Sequence, residues 1–393
     1  MISLRTVHSL LLLHLTINVF ILKADGFKLS EEQNAKLQET CGANMKEVRR
    51  YSRKVLNGTT ARSGESPWTV AVYLTDHLDK TVYTTGTLVS RWHILTYDGL
   101  FVTKTADGLK MRHNMEAIDQ KCEGTDWILP KTLVRRVSVY LNMLRTDRFS
   151  GREELQLRSV TVLNGCEQPI RTNRVAVLEL VAPIEAEQKA RPACISADAR
   201  SQPSSYTFYG FGDNRGDVVD ARLRHTNVSV AECPSTDSNS ADDVFCVTAR
   251  HPLCNGDFGG AGVRKLNDAI QAFGIYVEGP YECSKADADT VFKFANLTTL
   301  AEPICNVTGI CSTDLKRATV EDDEIEIVDE SESDSRTQSE SGTGPGSCSD
   351  CAITTSKKIV TELAELKEEL RTIRKILKEM KRTSKCKKRR TAY

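Results

Sequence analysis

Chemistry at a protein site needs a nucleophile, a proton carrier or a metal cage, and few stretches of this 393-residue chain are spaced to supply one. Beyond the first 26 residues there are five histidines: His77, His93, His113, His225 and His251. His93 stands six residues before Gly99 and His251 seven before Phe258, so either could flank a cleft. Neither has a nucleophile beside it, and ordinary structural histidines account for both. The turn Cys254-Asn255-Gly256-Asp257-Phe258-Gly259-Gly260 holds the nearest thiol, a carboxylate and three glycines. The backbone around Gly256 and the N–H of Phe258 could shape an anion-accepting turn, but a phenyl ring has no atom able to attack a carbonyl. No spacing of His, Cys or Asp suggests a metal site, and no cofactor is expected.

The elements that would position these residues are short and β-rich. Residues 69–74 (TVAVYL), 134–141 (VRRVSVYL), 175–180 (VAVLEL) and 273–277 (FGIYV) are separated by clusters of Gly, Asn, Asp, Pro and Ser. That pattern predicts an all-β sandwich or a pair of barrels, with no helical periodicity of useful length interrupting it. Ahead of it, residues 29–41 (LSEEQNAKLQETC) read as a short amphipathic helix.

Several segments, in order, resemble the trypsin-like serine proteases. Residues 54–58 (KVLNG) resemble an activation site, 64–68 (GESPW) the entry to the first barrel, and 86–96 the strand pair before the catalytic histidine. Residues 173–180 (NRVAVLEL) resemble the segment around the catalytic aspartate; 191–194 (RPAC) and 209–212 (YGFG) match two further landmarks. Residues 254–260 resemble the nucleophile loop and 274–279 (GIYVEG) the substrate-lining strand. The leading LSEEQ…CG, RKVLNG and TGIC patterns further resemble the divergent branch of the family found in nematodes. The resemblance covers residues 54–304 and implies a mainly β fold of two six-stranded antiparallel barrels.

It also implies a defect. A serine protease requires a hydroxyl nucleophile, an imidazole and an orienting carboxylate. Aligned on these motifs, the three positions hold Phe258, Gly99 and Arg174. The position at the base of the specificity pocket is Pro252, and Glu278 replaces the tryptophan usual in the lining strand. Cleavage after Lys54 would free Val55 to pair with Asp257, unless Asp257 merely satisfies local backbone donors. By resemblance Cys41 pairs with Cys194, Cys233 with Cys246 and Cys254 with Cys283; Cys122 with Cys166 and Cys305 with Cys311 are the remaining pairs. The histidine-loop disulfide is missing, since Thr84 or Thr85 and Leu100 stand at its ends.

The chain ends carry other signals. Arg5, the mostly apolar residues 10–22 and the small residues of Ala24-Asp25-Gly26 read as a signal peptide over 1–26, too short an apolar run to span a bilayer. Thirteen cysteines fit an oxidising compartment, and the odd number hints at a bond between chains. Asn57, Asn227, Asn296 and Asn306 lie in glycosylation triplets. Net charge is zero, yet residues 321–340 contain ten acidic residues against Arg336 alone, and 356–393 contain fourteen Lys and Arg against five Glu. The Ser- and acid-rich stretch 312–350 cannot bury enough apolar surface to order itself and reads as a disordered linker. After it, Ile359, Leu363, Leu366, Leu370, Ile373, Leu377 and Met380 recur at spacings of four and three, a coiled-coil seam. With Leu363 at a, Glu362 and Glu369 would face Lys367 and Arg374 of a parallel partner. Cys348, Cys351 and Cys386 bracket the seam, and the basic end 385–390 (KCKKRR) would contact an anionic polymer or stay solvated.

The resulting order is a signal peptide (1–26), a propeptide-like segment (27–54), a double-barrel domain (55–311), the linker (312–350) and the coiled-coil helix with its basic end (351–393). The expected product is a secreted, catalytically inactive protease homolog that binds a protein or glycan ligand and forms a homo-oligomer through residues 359–380. No nucleic-acid partner and no membrane span are expected. An endopeptidase with rearranged catalytic groups and a purely structural extracellular protein are the alternatives.

Overall fold

The computed structural model describes residues 27–43 and 59–312, apart from 77, 106–107, 113, 118–120, 147–152, 168–173, 186–189, 197–202, 213–221, 235–242, 281–285 and 288. The chain divides into two units, 1–326 and 327–393, and every described residue belongs to the first. The signal peptide, Lys54, Val55, Asn57, Cys283, the body of the linker and the coiled-coil seam therefore lie outside the described residues.

The described chain is mainly β. One sheet closes on itself: Ser205–Gly210, Ala261–Leu266, Ala269–Glu278, Val291–Asn296, Val244–Ala249 and Arg224–Ala231 pair in that order, and the last returns to the first, all antiparallel. The hairpin Ala261–Leu266/Ala269–Glu278 turns through Asn267 and Asp268, both at positive φ, which matches the right-handed twist of its strands. Phe208, Phe292, Phe294 and Tyr276 fill the barrel, each 2% exposed or less.

The other sheet runs through Val137–Leu141, Thr69–Thr75, Thr81–Leu88, His93–Tyr97, Val175–Leu180 and Leu157–Val162, with short strands at each end of the path. Glu154–Leu155 pair with Tyr140 and Val139 at one end of the path, while Leu157–Val162 pair with Val175–Leu180 near the other. Val175–Leu180 is buried at all six positions, which explains its near-continuous apolar run and makes Glu179 within it conspicuous.

Two element expectations need correction, and one is met. Residues 134–141 are not one strand: Pro130 starts a helical turn, Lys131–Val134, and the strand begins at Val137. The helix expected over 29–41 is present as Glu31–Thr40, with Ser30 and Gln33 forming a reciprocal capping box. A further helix, Ala301–Thr308, was not anticipated. Its apolar periodicity is only eight residues long, but Gly309 at φ 73 terminates it in the left-handed conformation and was the legible stop signal.

Disulfides join Cys41 to Cys194, Cys122 to Cys166, Cys233 to Cys246 and Cys305 to Cys311, as expected. Cys254 is also disulfide-bonded. Among the described residues no helix is long and apolar enough to cross a membrane.

Candidate functional site

The loop 254–260 is moored to the strand Thr81–Leu88 by threonines. Thr85 N and Thr84 Oγ1 both donate to the Phe258 carbonyl, the former at 3.0 Å. Thr85 Oγ1 donates to Gly256 O at 2.7 Å and accepts from Phe211 N at 3.1 Å, and Thr87 Oγ1 donates to Gly259 O at 3.3 Å. The loop can lie this close only because of its glycines. Gly259 has φ +83, and a Cβ there would sit 2.1 Å from Thr85 O. Thr84 and Thr85, either of which stands at one end of the family disulfide that this chain lacks, thus hold the loop by hydrogen bonding.

At the centre of the loop Phe258 is 4% exposed and sandwiched between two rings. Tyr97 stacks on one face with centroids 5.0 Å apart, and Tyr276 on the other at 4.5 Å and 8°. Tyr97 ends the fully buried strand His93–Tyr97, and the turn Asp98–Leu100 follows it. Its ring turns back over Gly99, where a Cβ would meet Tyr97 ring atoms at 2.1 Å. A side chain at 99 and the ring of Tyr97 therefore compete for one volume. Stacked pairs of this kind are worth about 0.5–1.5 kcal/mol each beyond the area they bury.

Arg174, just before the neighbouring strand Val175–Leu180, closes the arrangement. Asp98 N donates to Arg174 O and Arg174 N donates to Asp98 Oδ1, both at 3.0 Å. Arg174 Nη1 lies 3.9 Å from Glu167 Oε2, and its side chain is 10% exposed. The three residues expected at the triad positions thus converge: Gly99 and Phe258 line one cleft, and Arg174 is bonded to the residue next to Gly99. That cleft has a volume of about 190 Å³ and is bordered also by Tyr83, Leu100, Arg112 and Asn255. Arg112 Nε donates to Gly99 O at 2.8 Å. Among the described residues, the lining carries hydroxyls and a guanidinium but no imidazole, carboxylate or thiol.

The sequence model of the nematode trypsin-6-like family matches residues 11–311, most of the chain. The chain belongs to that family. A search of curated proteins returned no match.

Around the cleft, this trypsin-like protein uses its other polar groups for structure. Asp257 is 7% exposed; its Oδ1 accepts from Gly212 N at 2.7 Å and its Oδ2 from Cys254 N at 2.9 Å. Its carboxylate fits so tightly that a Cβ at Gly212 would lie 2.0 Å from it. Glu278 accepts from Lys293 Nζ at 2.8 Å. Of the histidines, His225 Nε2 faces Glu65 at 3.3 Å, and burial, then Arg250, lowers the pKa of His251. His93 touches a serine: Ser90 Oγ lies 2.8 Å from its Nδ1. Both are 1% exposed, and Ser90 Oγ also accepts from Trp92 N and His93 N, so this contact braces a turn. Sequence reasoning found Gly99 and Phe258 but missed Tyr97 and Tyr276. No local signal marks them, since both reach Phe258 through strand pairing rather than sequence proximity.

Proposed function

We propose that this trypsin-like protein is an extracellular pseudoprotease, a binding or regulatory module that does not hydrolyse peptides and that self-associates through its C-terminal helix. The stack of Tyr97, Phe258 and Tyr276 carries the reading. On the family's motifs these rings stand where a nucleophile and its base would meet, and Arg174 stands where a carboxylate would orient that base. Export is supported by the disulfides, the signal-like residues 1–26 and glycosylation triplets whose asparagines at 227 and 306 are exposed. The ligand is a protein or glycan that reads the face around the cleft, and the basic end 385–390 offers a second contact for an anionic polymer.

The purified protein will neither turn over peptide esters nor react with a fluorophosphonate probe, while trypsin labels fully under the same conditions. Covalent labelling at any residue of this chain overturns the proposal and favours an endopeptidase with rearranged groups. For the tail, the full chain will scatter light as an oligomer and a 1–345 truncation as a monomer. The matched Glu362–Lys367 and Glu369–Arg374 contacts favour a parallel arrangement, which brings Cys348 and Cys351 of different chains together. A monomeric full chain, unchanged in mass on reduction, removes self-association from the proposal.

A further inference from the structure

Phe27 is held at three points by a site that neither the cleft nor the family motifs explain. Its backbone N lies 2.6 Å from Glu179 Oε1, its carbonyl 2.9 Å from His93 Nε2, and its ring stacks on Trp92 with centroids 4.0 Å apart. Glu179 is 5% exposed, in the middle of a strand buried at every position. A buried carboxylate requires charge-bearing or hydrogen-bonding partners. Ser159 Oγ donates to Oε2 at 2.8 Å, and Arg158, a third exposed, approaches Oε1 at 3.3 Å, the one cation paired with it among the described residues.

His93 adds no charge. Ser90 Oγ already accepts two backbone N–H groups, so its own proton goes to His93 Nδ1, and the imidazole proton sits on Nε2, facing the Phe27 carbonyl. Burial, which lowers the histidine's pKa to about 4, agrees with that neutral form. The pocket is therefore built for a group that donates at the nitrogen, accepts at the carbonyl and carries an aromatic ring, with a negative charge placed opposite the nitrogen.

Independently, the sequence places the end of the signal peptide at Ala24-Asp25-Gly26, small residues one and three positions before Phe27. We infer that the new amino terminus left by removal of residues 1–26 is Phe27, and that its α-ammonium docks on Glu179. An amide nitrogen offers this carboxylate one proton; an ammonium offers a full positive charge. The docked terminus begins a strap: Leu29 N donates to Thr308 O at 2.9 Å, Asn34 and Cys311 exchange hydrogen bonds, and Cys41 is bonded to Cys194. This pair differs in both members from the Val55–Asp257 pair that the family resemblance implies.

The inference rests on the export reading only for the cleavage, and the test separates the two. Mass spectrometry of the secreted full chain will find Phe27 as its first residue. Two secreted full-length forms are then compared, one starting at Phe27 and one retaining Gly-Ser before it. The terminal amine of the Phe27 form will be acylated about tenfold more slowly at neutral pH, because only the uncharged amine reacts and a carboxylate partner favours the charged one. It will also melt about 2–4 °C higher. In Glu179→Gln both differences disappear. A retained leader or a different first residue overturns the inference together with the cleavage. Equal acylation of the two forms overturns the docking alone, and that comparison does not depend on the variant folding.

Discussion

Phe258→Ser will destabilise the protein by about 3–5 kcal/mol and create no peptidase activity, the cost being that of truncating a fully packed phenylalanine. The ring lies between Tyr97 and Tyr276, so serine leaves a gap against two aromatic faces and places a hydroxyl in it. The new hydroxyl gains no imidazole or carboxylate to accept its proton from the described residues of the cleft lining either. Urea denaturation and an ester assay on the same preparation read both outcomes. A variant within about 1 kcal/mol of the parent would show that the ring is not packed as described, since conservative surface changes fall in that range. Measurable turnover would overturn the account of the cleft.

Stability will also fall steeply on mild acidification. His93, 1% exposed, titrates at about 4 because burial opposes its charged form, although its hydrogen bond to the Phe27 carbonyl pulls the other way. In the unfolded chain it takes a proton near the ordinary histidine value, so between about pH 6.5 and 4 the unfolded state binds more protons than the native one. Its contribution is full above that window and is lost as pH drops through it, by about 3 kcal/mol in all. His225 and His251, also lowered chiefly by burial, titrate in the same direction. Substituting His93→Gln isolates its share: the dependence of denaturation midpoint on pH becomes shallower, whatever the absolute stability of the variant. An unchanged slope would mean that His93 is accessible to protons in the native state.

Much of the architecture was legible because burial and turn chemistry leave strong local marks. The run VAVLEL became a fully buried strand over the same six residues, and the five expected cysteine pairs are met wherever both partners are described. Where the reading slipped, a short-range cause is visible. Pro130 fixed the backbone for a helical turn ahead of Val137, and apolar residues at 133 and 134 look the same in a turn as in a strand. That Phe258 and Gly99 offer neither a hydroxyl nor an imidazole could be read from residue type alone. What packs around them could not, because Tyr97 and Tyr276 meet Phe258 only through sheet register: Tyr97 is placed by the pairing of its strand with Val175–Leu180, and Tyr276 by the barrel. The seat for Phe27 was equally hidden, since Glu179 reads as one polar letter in an apolar strand until His93 is found opposite it.

The competition between Tyr97 and position 99 bears on how such a protein can evolve. A Cβ at 99 would be 2.1 Å from the Tyr97 ring, so a chain acquiring histidine there first would meet a steric clash, and one shrinking Tyr97 first would uncover one face of Phe258. Either order passes through a sequence less fit to fold than its neighbours on both sides. On the pseudoprotease reading proposed above, the aromatic fill would act as a ratchet: with the rings interlocked, each single step toward a histidine at 99 costs stability, and the surface is the easier place for new function to arise.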